Sequence, residues 1–261
     1  FDIDFFQSVT SHKNKIVAGD FFLSDADEIE KELDALRTKK PKVFNIETTN
    51  YCNMKCIMCP RTELMTRKNI WIDDSTFLKV VDQIQPHSNQ DLEKFWDFIE
   101  SEYGLNENEP SENTFYFRVV SRCVILHGYG EPLLDKKIVE RIKVCADRGI
   151  PTYFSCVPAN LTVERAKEVM DAGLTVFKFS IDALDDEWQK RIRGSQNNFD
   201  ASYRTILDII DLKKEQGYKT LLVPTMIALS EDTTSRKMHS RFMELWKDKD
   251  VFAYVKSQDN R

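Results

Sequence analysis

No apolar run in this sequence approaches the ~20 residues that a membrane span needs. No secretory signal peptide is read in the sequence as given, which starts at Phe1 and not at an initiator Met, and no internal repeat or low-complexity tract divides it. Basic charge is not in excess: 37 Lys+Arg face 43 Asp+Glu, a net charge of −6. That balance gives no support to a nucleic-acid or anionic-membrane partner. A disulfide framework is also missing. Three of the six Cys lie within eight residues and the others are scattered, a pattern of metal binding in a reducing cytoplasm. What remains is a chain of 261 residues, 41 % hydrophobic, long enough to bury a sizeable core in one α/β domain or two small ones.

Ser24–Lys39 reads as an amphipathic helix with Ile29, Leu33 and Leu36 on its inner face, broken by Thr38–Pro41. From Lys42 onward strands and helices alternate. The expected strands are Val43–Thr48, Arg118–His127, Pro151–Cys156, Thr175–Asp182, Lys219–Ile227 and Val251–Lys256. The expected helices are Asp74–Gln85, Ile138–Arg148 stopped by Gly149, a Thr162-capped helix to Ala172, an Asp200-capped helix to Gln216, and Thr233–Trp246. Six strands alternating with five helices predict parallel βαβ units with right-handed crossovers. The acidic stretch at about 86–116, with a helix near Leu92–Tyr103, reads as an insertion on the first crossover. Residues 1–41 read as an N-terminal extension and 42–261 as the core.

The sharpest signal is Cys52-Asn-Met-Lys-Cys56-Ile-Met-Cys59, between the first strand and the first helix of the core. Ligand-bearing loops of parallel α/β folds lie at the carboxyl ends of strands, where this one falls. Soft thiolates select zinc, copper(I) or iron–sulfur clusters. A structural zinc site wants a fourth Cys or His at matching spacing, and no such knuckle follows. Three thiolates are one short of the four that hold an ordinary 4Fe–4S cluster, which would leave one iron open.

Cys52, Cys56 and Cys59 match the C-x3-C-x2-C signature, and the chain resembles the radical S-adenosylmethionine superfamily. The resemblance continues through His127-Gly-Tyr-Gly-Glu-Pro-Leu-Leu-Asp135, Phe179-Ser-Ile-Asp-Ala-Leu-Asp185 and Arg191-Ile-Arg-Gly194, and spans roughly Lys42–Lys256. It implies an α/β fold: a partial (β/α)6 TIM-like barrel, open on one side, with parallel strands and an N-terminal helical extension. The implied cofactors are a 4Fe–4S cluster held by Cys52, Cys56 and Cys59, and S-adenosylmethionine chelated at the fourth iron. Met58 would lie against the adenine, in place of the usual aromatic residue. Gly130 and Glu131 would receive the cofactor's amino group, with Tyr129 standing where the family's first Gly usually is. Ser155, Ser180 and Asp182 match positions near its ribose and carboxylate. Val157 replaces the Asn that usually follows the serine of this strand two residues later. Arg193 resembles an arginine that pairs with the methionine carboxylate; the plain alternative is a solvated helix-end arginine.

Cys156, at a strand end beside Ser155, is a candidate hydrogen-atom donor, weighed against an ordinary buried thiol. His127 reads as a satisfied strand histidine, the alternative being a substrate contact. The resemblance implies reductive cleavage of S-adenosylmethionine to a 5′-deoxyadenosyl radical, with a reducing partner such as flavodoxin or ferredoxin. The Cys56–Arg61 run looks most like the SPASM/twitch branch, whose auxiliary Cys clusters would lie beyond Arg261. The expected substrate is a sugar- or nucleoside-like metabolite, epimerised or dehydrogenated. The alternatives are a peptide or protein maturase, and a non-catalytic iron–sulfur or zinc module.

Overall fold

A computed structural model describes residues 2–37, 42–230 and 232–258. Two helices open the chain, α1 (Ile3–Ala18) and α2 (Ala26–Leu36). Of these, α2 falls inside the expected Ser24–Lys39 helix, while the expected break at Thr38–Pro41 lies outside the described residues. No helix is long and apolar enough to cross a membrane among the described residues.

The short α3 (Arg61–Leu64) follows the Cys loop, and α4 (Asp74–Val81) is capped by Asp73, whose side chain accepts the Thr76 N–H. The 86–116 stretch carries α5 (Asn89–Tyr103) and the start of α6 (Glu112–Arg122). α1 packs on α5: Ile3 and Phe6 join Leu92, Phe95, Trp96 and Ile99 in a separate apolar cluster. The extension and the insertion, far apart in sequence, therefore bury each other's apolar faces.

The remaining elements alternate: β1 (Val124–Ile125), α7 (Ile138–Ala146), β2 (Thr152–Cys156), α8 (Val163–Asp171), β3 (Val176–Ser180), α9 (Asp186–Arg193), α10 (Phe199–Gln216), β4 (Leu221–Ala228), α11 (Thr233–Trp246) and β5 (Tyr254–Ser257). The five strands form one parallel sheet in the order β1-β2-β3-β4-β5, an open α/β half-barrel. The expected strand at Val43–Thr48 is reduced to one parallel bridge, Asn45 to Ile125, held by Ile46 N–H to Ile125 O at 2.8 Å and Ile125 N–H to Phe44 O at 2.7 Å.

Three boundaries differ from expectation. Arg118–Arg122, expected as strand, is the end of α6, because Phe115 and Val119 stand one helical turn apart on a buried face. α10 is capped by Asn198, two residues before the expected Asp200, through its Oδ1 and the Ala201 N–H at 2.7 Å. α9 was not expected as a separate helix. Its cap is Asp185, which accepts the Trp188 N–H at 2.8 Å.

Period-two alternation sorts the strand residues into two faces. Phe154, Cys156, Phe177, Phe179, Leu222 and Met226 face the helices and form the main core. Tyr153, Val176, Val223 and Tyr254 face the concave side, where α6 closes over them with Phe115 and Val119. Phe115 meets Tyr153 edge-on at 5.4 Å and tilts over Tyr254 at 5.1 Å. Each such buried aromatic contributes about 1.5–3 kcal/mol through removal from water. α6 thus floors the half-barrel at its amino-terminal end and leaves the carboxyl end open.

Candidate active site

The Cys loop leaves the Asn45 bridge through Thr48, Thr49 and Asn50, all buried and fastened by their own side chains. Asn50 donates to Lys68 O at 2.9 Å and accepts the Ile70 N–H at 2.7 Å. On its far side the loop is strapped to the end of α9: Lys55 N–H reaches Arg193 O at 3.2 Å and Ile57 N–H reaches Ile192 O at 2.9 Å. Cys52, Cys56 and Cys59 are free thiols gathered with Met54, Met58 and Val157 into one small apolar cluster. Burial pushes the Cys52 and Cys56 thiols above their ordinary range, and the Arg193 guanidinium opposes this at Cys56. Among the described residues no three His, Cys, Asp or Glu side chains converge as ligands of a single metal ion must. A multi-iron cluster takes each thiolate on a separate iron, so the three thiols of this loop fit it.

The Gly130-Glu131 segment presses against the start of the Cys loop. A Cβ on Gly130 would lie 2.0 Å from Thr49 O, so only glycine fits there. Glu131 N–H donates to Tyr51 O at 2.7 Å. The Glu131 carboxylate is buried and accepts the Val157 N–H at 2.9 Å and the Leu133 N–H at 3.2 Å. Burial outweighs those two donors and pushes its carboxyl up to about 7.

Ser155 and Ser180, half-buried on the concave face, share a hydrogen bond at 3.1 Å. Asp182 is fully enclosed: Oδ1 accepts the Ile227 N–H at 2.9 Å and Oδ2 pairs with Arg193 Nε. Its backbone N–H and that of Ala183 are held by Gln189 Oε1 at 3.1 and 3.0 Å. Arg193 is buried, not a solvated helix-end arginine, and its Nη1 donates to Cys56 Sγ at 3.6 Å.

Cys156 is 1 % exposed and belongs to the core on the helix side of the sheet, with its thiol pushed well up by burial. It does not open onto the concave face as a hydrogen-atom donor must. Lys178, not among the residues expected at the site, stands on β3 between Val176 and Ser180 on the concave side. The period-two pattern Lys178-Ser180-Asp182 was the available signal.

Between the Cys loop and the ends of β4 and β5 lies an open cleft of about 700 Å³, lined by Cys56, Met58, Cys59, Ile227, Lys256 and Ser257 among others. That is within the range of small-molecule sites.

A family model described as "Radical SAM superfamily" matches residues 116–236, downstream of the Cys loop. Over 143 residues the chain is 26 % identical to the tungsten-containing aldehyde ferredoxin oxidoreductase cofactor-modifying protein of Pyrococcus furiosus, covering 55 % of this chain and 31 % of that protein. Among solved structures, methylornithine synthase aligns with a TM-score of 0.53 at 15 % identity, over 84 % of this chain and 54 % of its own. SuiB of Streptococcus suis bound to S-adenosylmethionine aligns with a TM-score of 0.55 at 12 % identity, over 99 % of this chain and 52 % of its own. The chain thus spans about half the length of these solved proteins and 31 % of the curated relative. Residues 116–236 thus carry a radical SAM family domain, a family that uses a 4Fe–4S cluster and S-adenosylmethionine, and the half-barrel shares the fold of methylornithine synthase and SuiB.

Proposed function

We propose that this chain is the catalytic half-barrel of a radical SAM enzyme. The observation that carries the reading is three thiols on one loop, strapped to α9 at the open end of the barrel, beside a buried carboxylate and a cleft. Cys52, Cys56 and Cys59 would hold the cluster. When bound, the reduced cluster and S-adenosylmethionine together supply a 5′-deoxyadenosyl radical that abstracts a hydrogen atom from the substrate.

The residues of the chain bind and enclose. Glu131, held by two backbone N–H groups, accepts the cofactor's ammonium, and Gly130 lets the backbone approach closely. Ser155 and Ser180 offer hydroxyls to the ribose, and Met58 lines the cleft as an apolar, polarizable surface for the adenine. Asp182 and Arg193 act through each other. Their buried pair locks the end of α9, and with it the loop that carries Cys56. This replaces the expectation of direct cofactor contacts by both, since each is already engaged and enclosed. A reducing partner of the flavodoxin or ferredoxin class would supply the electron.

By the Cys56–Arg61 run we place the chain in the SPASM/twitch-type branch, and we take its substrate to be a small polar metabolite. The cleft volume and the name of the Pyrococcus relative, a cofactor-modifying protein, support a small molecule. The test is anaerobic reconstitution followed by chemical reduction with S-adenosylmethionine present. 5′-Deoxyadenosine should form, and Cys56→Ala should abolish both the cluster absorbance and that product. No product from fully reconstituted, reduced protein would refute the reading.

A further inference from the structure

The concave face beneath the cleft holds an ammonium group with no carboxylate partner. Lys178 is half-buried there, and its Nζ donates to Tyr254 Oη at 3.0 Å and lies 5.2 Å from the Phe115 ring centroid and 5.3 Å from that of Tyr254. Among the described residues no carboxylate pairs with it. The nearby acids are committed elsewhere: Asp182 to Arg193, and Glu112 to the Ser257 N–H at 2.8 Å. Two further cations face the same space, Lys256 at the rim of the cleft and Arg193 behind it.

A half-buried lysine held by one phenol and two ring faces, without an anion, is an incomplete arrangement, because charge drawn out of water is ordinarily paired. Burial first, then Lys256 and Arg193, push the Lys178 amine down to about 7. The neighbouring groups add donors rather than acceptors. Tyr254 accepts from Lys178, which leaves its own O–H proton seeking an acceptor, and burial holds that phenol neutral. His127 accepts the Ser155 N–H on Nδ1 at 3.3 Å. Burial, then Lys178, push its imidazole down to about 3, so it is neutral with the proton on Nε2.

We infer that Lys178, backed by Tyr254, binds an anionic group of the substrate, a carboxylate or a phosphate, on the concave face below the cofactor. This deepens the proposed function and rests on the concave face being the substrate side. Anion binding restores the missing charge pair and fixes the substrate's depth in the half-barrel.

The test reads Lys178 directly. The reconstituted full chain, without S-adenosylmethionine, is pulsed with acetic anhydride near about pH 7, where a shifted amine is partly neutral, and acetylation of Lys178 is followed by peptide mass spectrometry. Parallel samples contain inorganic phosphate, succinate or glycerol. At that pH a one-unit rise in the amine pKa on pairing cuts the neutral fraction about fivefold, so a saturating anion should slow Lys178 acetylation about fivefold while glycerol leaves it unchanged. Protection by phosphate alone assigns a phosphorylated substrate; protection by succinate alone assigns a carboxylate. The inference is overturned if neither anion protects, if glycerol protects equally, or if Lys178 is not acetylated at all, which would show it closed to solutes. The 5′-deoxyadenosine assay on the same preparation reports the radical chemistry separately. Anion protection without that product would therefore overturn the proposed reaction and leave the anion site standing.

Discussion

Arg193 donates to the sulfur of Cys56 at 3.6 Å while its Nε pairs with the fully enclosed carboxylate of Asp182. The contact couples the end of α9 to the middle cysteine of the thiol triplet across 137 residues of sequence. Two backbone bonds, Lys55 to Arg193 and Ile57 to Ile192, run beside it. The cation also faces the place where an anionic cluster would form.

Removing Arg193 should therefore act on both fold and cluster. Arg193→Met leaves Asp182 buried without its cation, at a cost of about 3–5 kcal/mol, because an uncompensated buried charge is worse than no pair. Asp182→Asn combined with Arg193→Met should recover much of that loss. Urea unfolding of the two variants measures it; a double variant as unstable as the single one would deny that the pair acts as a unit.

Gly130 and Gly149 make a matched comparison. A Cβ on Gly130 would lie 2.0 Å from Thr49 O, whereas Gly149 has φ +67° and open space around it. Gly130→Ala should cost about 3 kcal/mol or more by forcing the backbone apart. Gly149→Ala should cost about 1–2 kcal/mol, the left-handed penalty alone. Equal losses on denaturation would contradict the close approach at Gly130.

Glu131 gives the fold a pH dependence of definite sign. Its carboxyl is raised from 4.5 to about 7, so the folded chain holds this proton more tightly than the unfolded chain does. The stability it contributes is complete below about pH 4.5 and is lost as pH rises through about 7. Compared with Glu131→Gln, the wild type should lose roughly 3 kcal/mol across that window. Unfolding curves for both proteins at several pH values test this, and parallel pH profiles would refute it.

Cofactor affinity separates binding residues from the cluster ligands. Glu131→Ala should keep the cluster absorbance and weaken S-adenosylmethionine binding by about tenfold or more, as expected for loss of a charge-assisted hydrogen bond. Ser180→Ala should weaken it about fivefold, the value of one neutral hydrogen bond. Equilibrium dialysis of the reconstituted variants gives both numbers, and unchanged affinity in Glu131→Ala would remove that residue from the site.

Much of this architecture was legible in the sequence because strong local signals agreed with the tertiary result. Thr162 caps α8, Thr233–Trp246 is helical as expected, and the strand cores of β2, β3 and β4 fall inside the β-branched and aromatic runs. The failures have physical causes. Val119 and Val120 carry strand propensity, yet burial of Phe115 and Val119 on the floor of the barrel fixed a helix. α1 was missed although Asp2 and Gly19 cap its two ends, because its buried face is completed only by α5, about ninety residues away. At the site, the spacing of Cys52, Cys56 and Cys59 was readable, whereas the Arg193–Cys56 contact joins segments that no local pattern connects. Cys156 misled because position at a strand end says nothing about which face a side chain takes; the register settles that.

The proposed radical chemistry requires that the three cysteines hold a cluster with one iron left open to S-adenosylmethionine. Electron–nuclear double resonance on the reduced, reconstituted protein with isotopically labelled S-adenosylmethionine tests it most directly. Hyperfine coupling from the labelled amino nitrogen and carboxylate oxygen should appear, and should be absent in Cys56→Ala. A reduced cluster whose spectrum ignores the labelled cofactor, or a loop that takes up zinc and no iron, would contradict it.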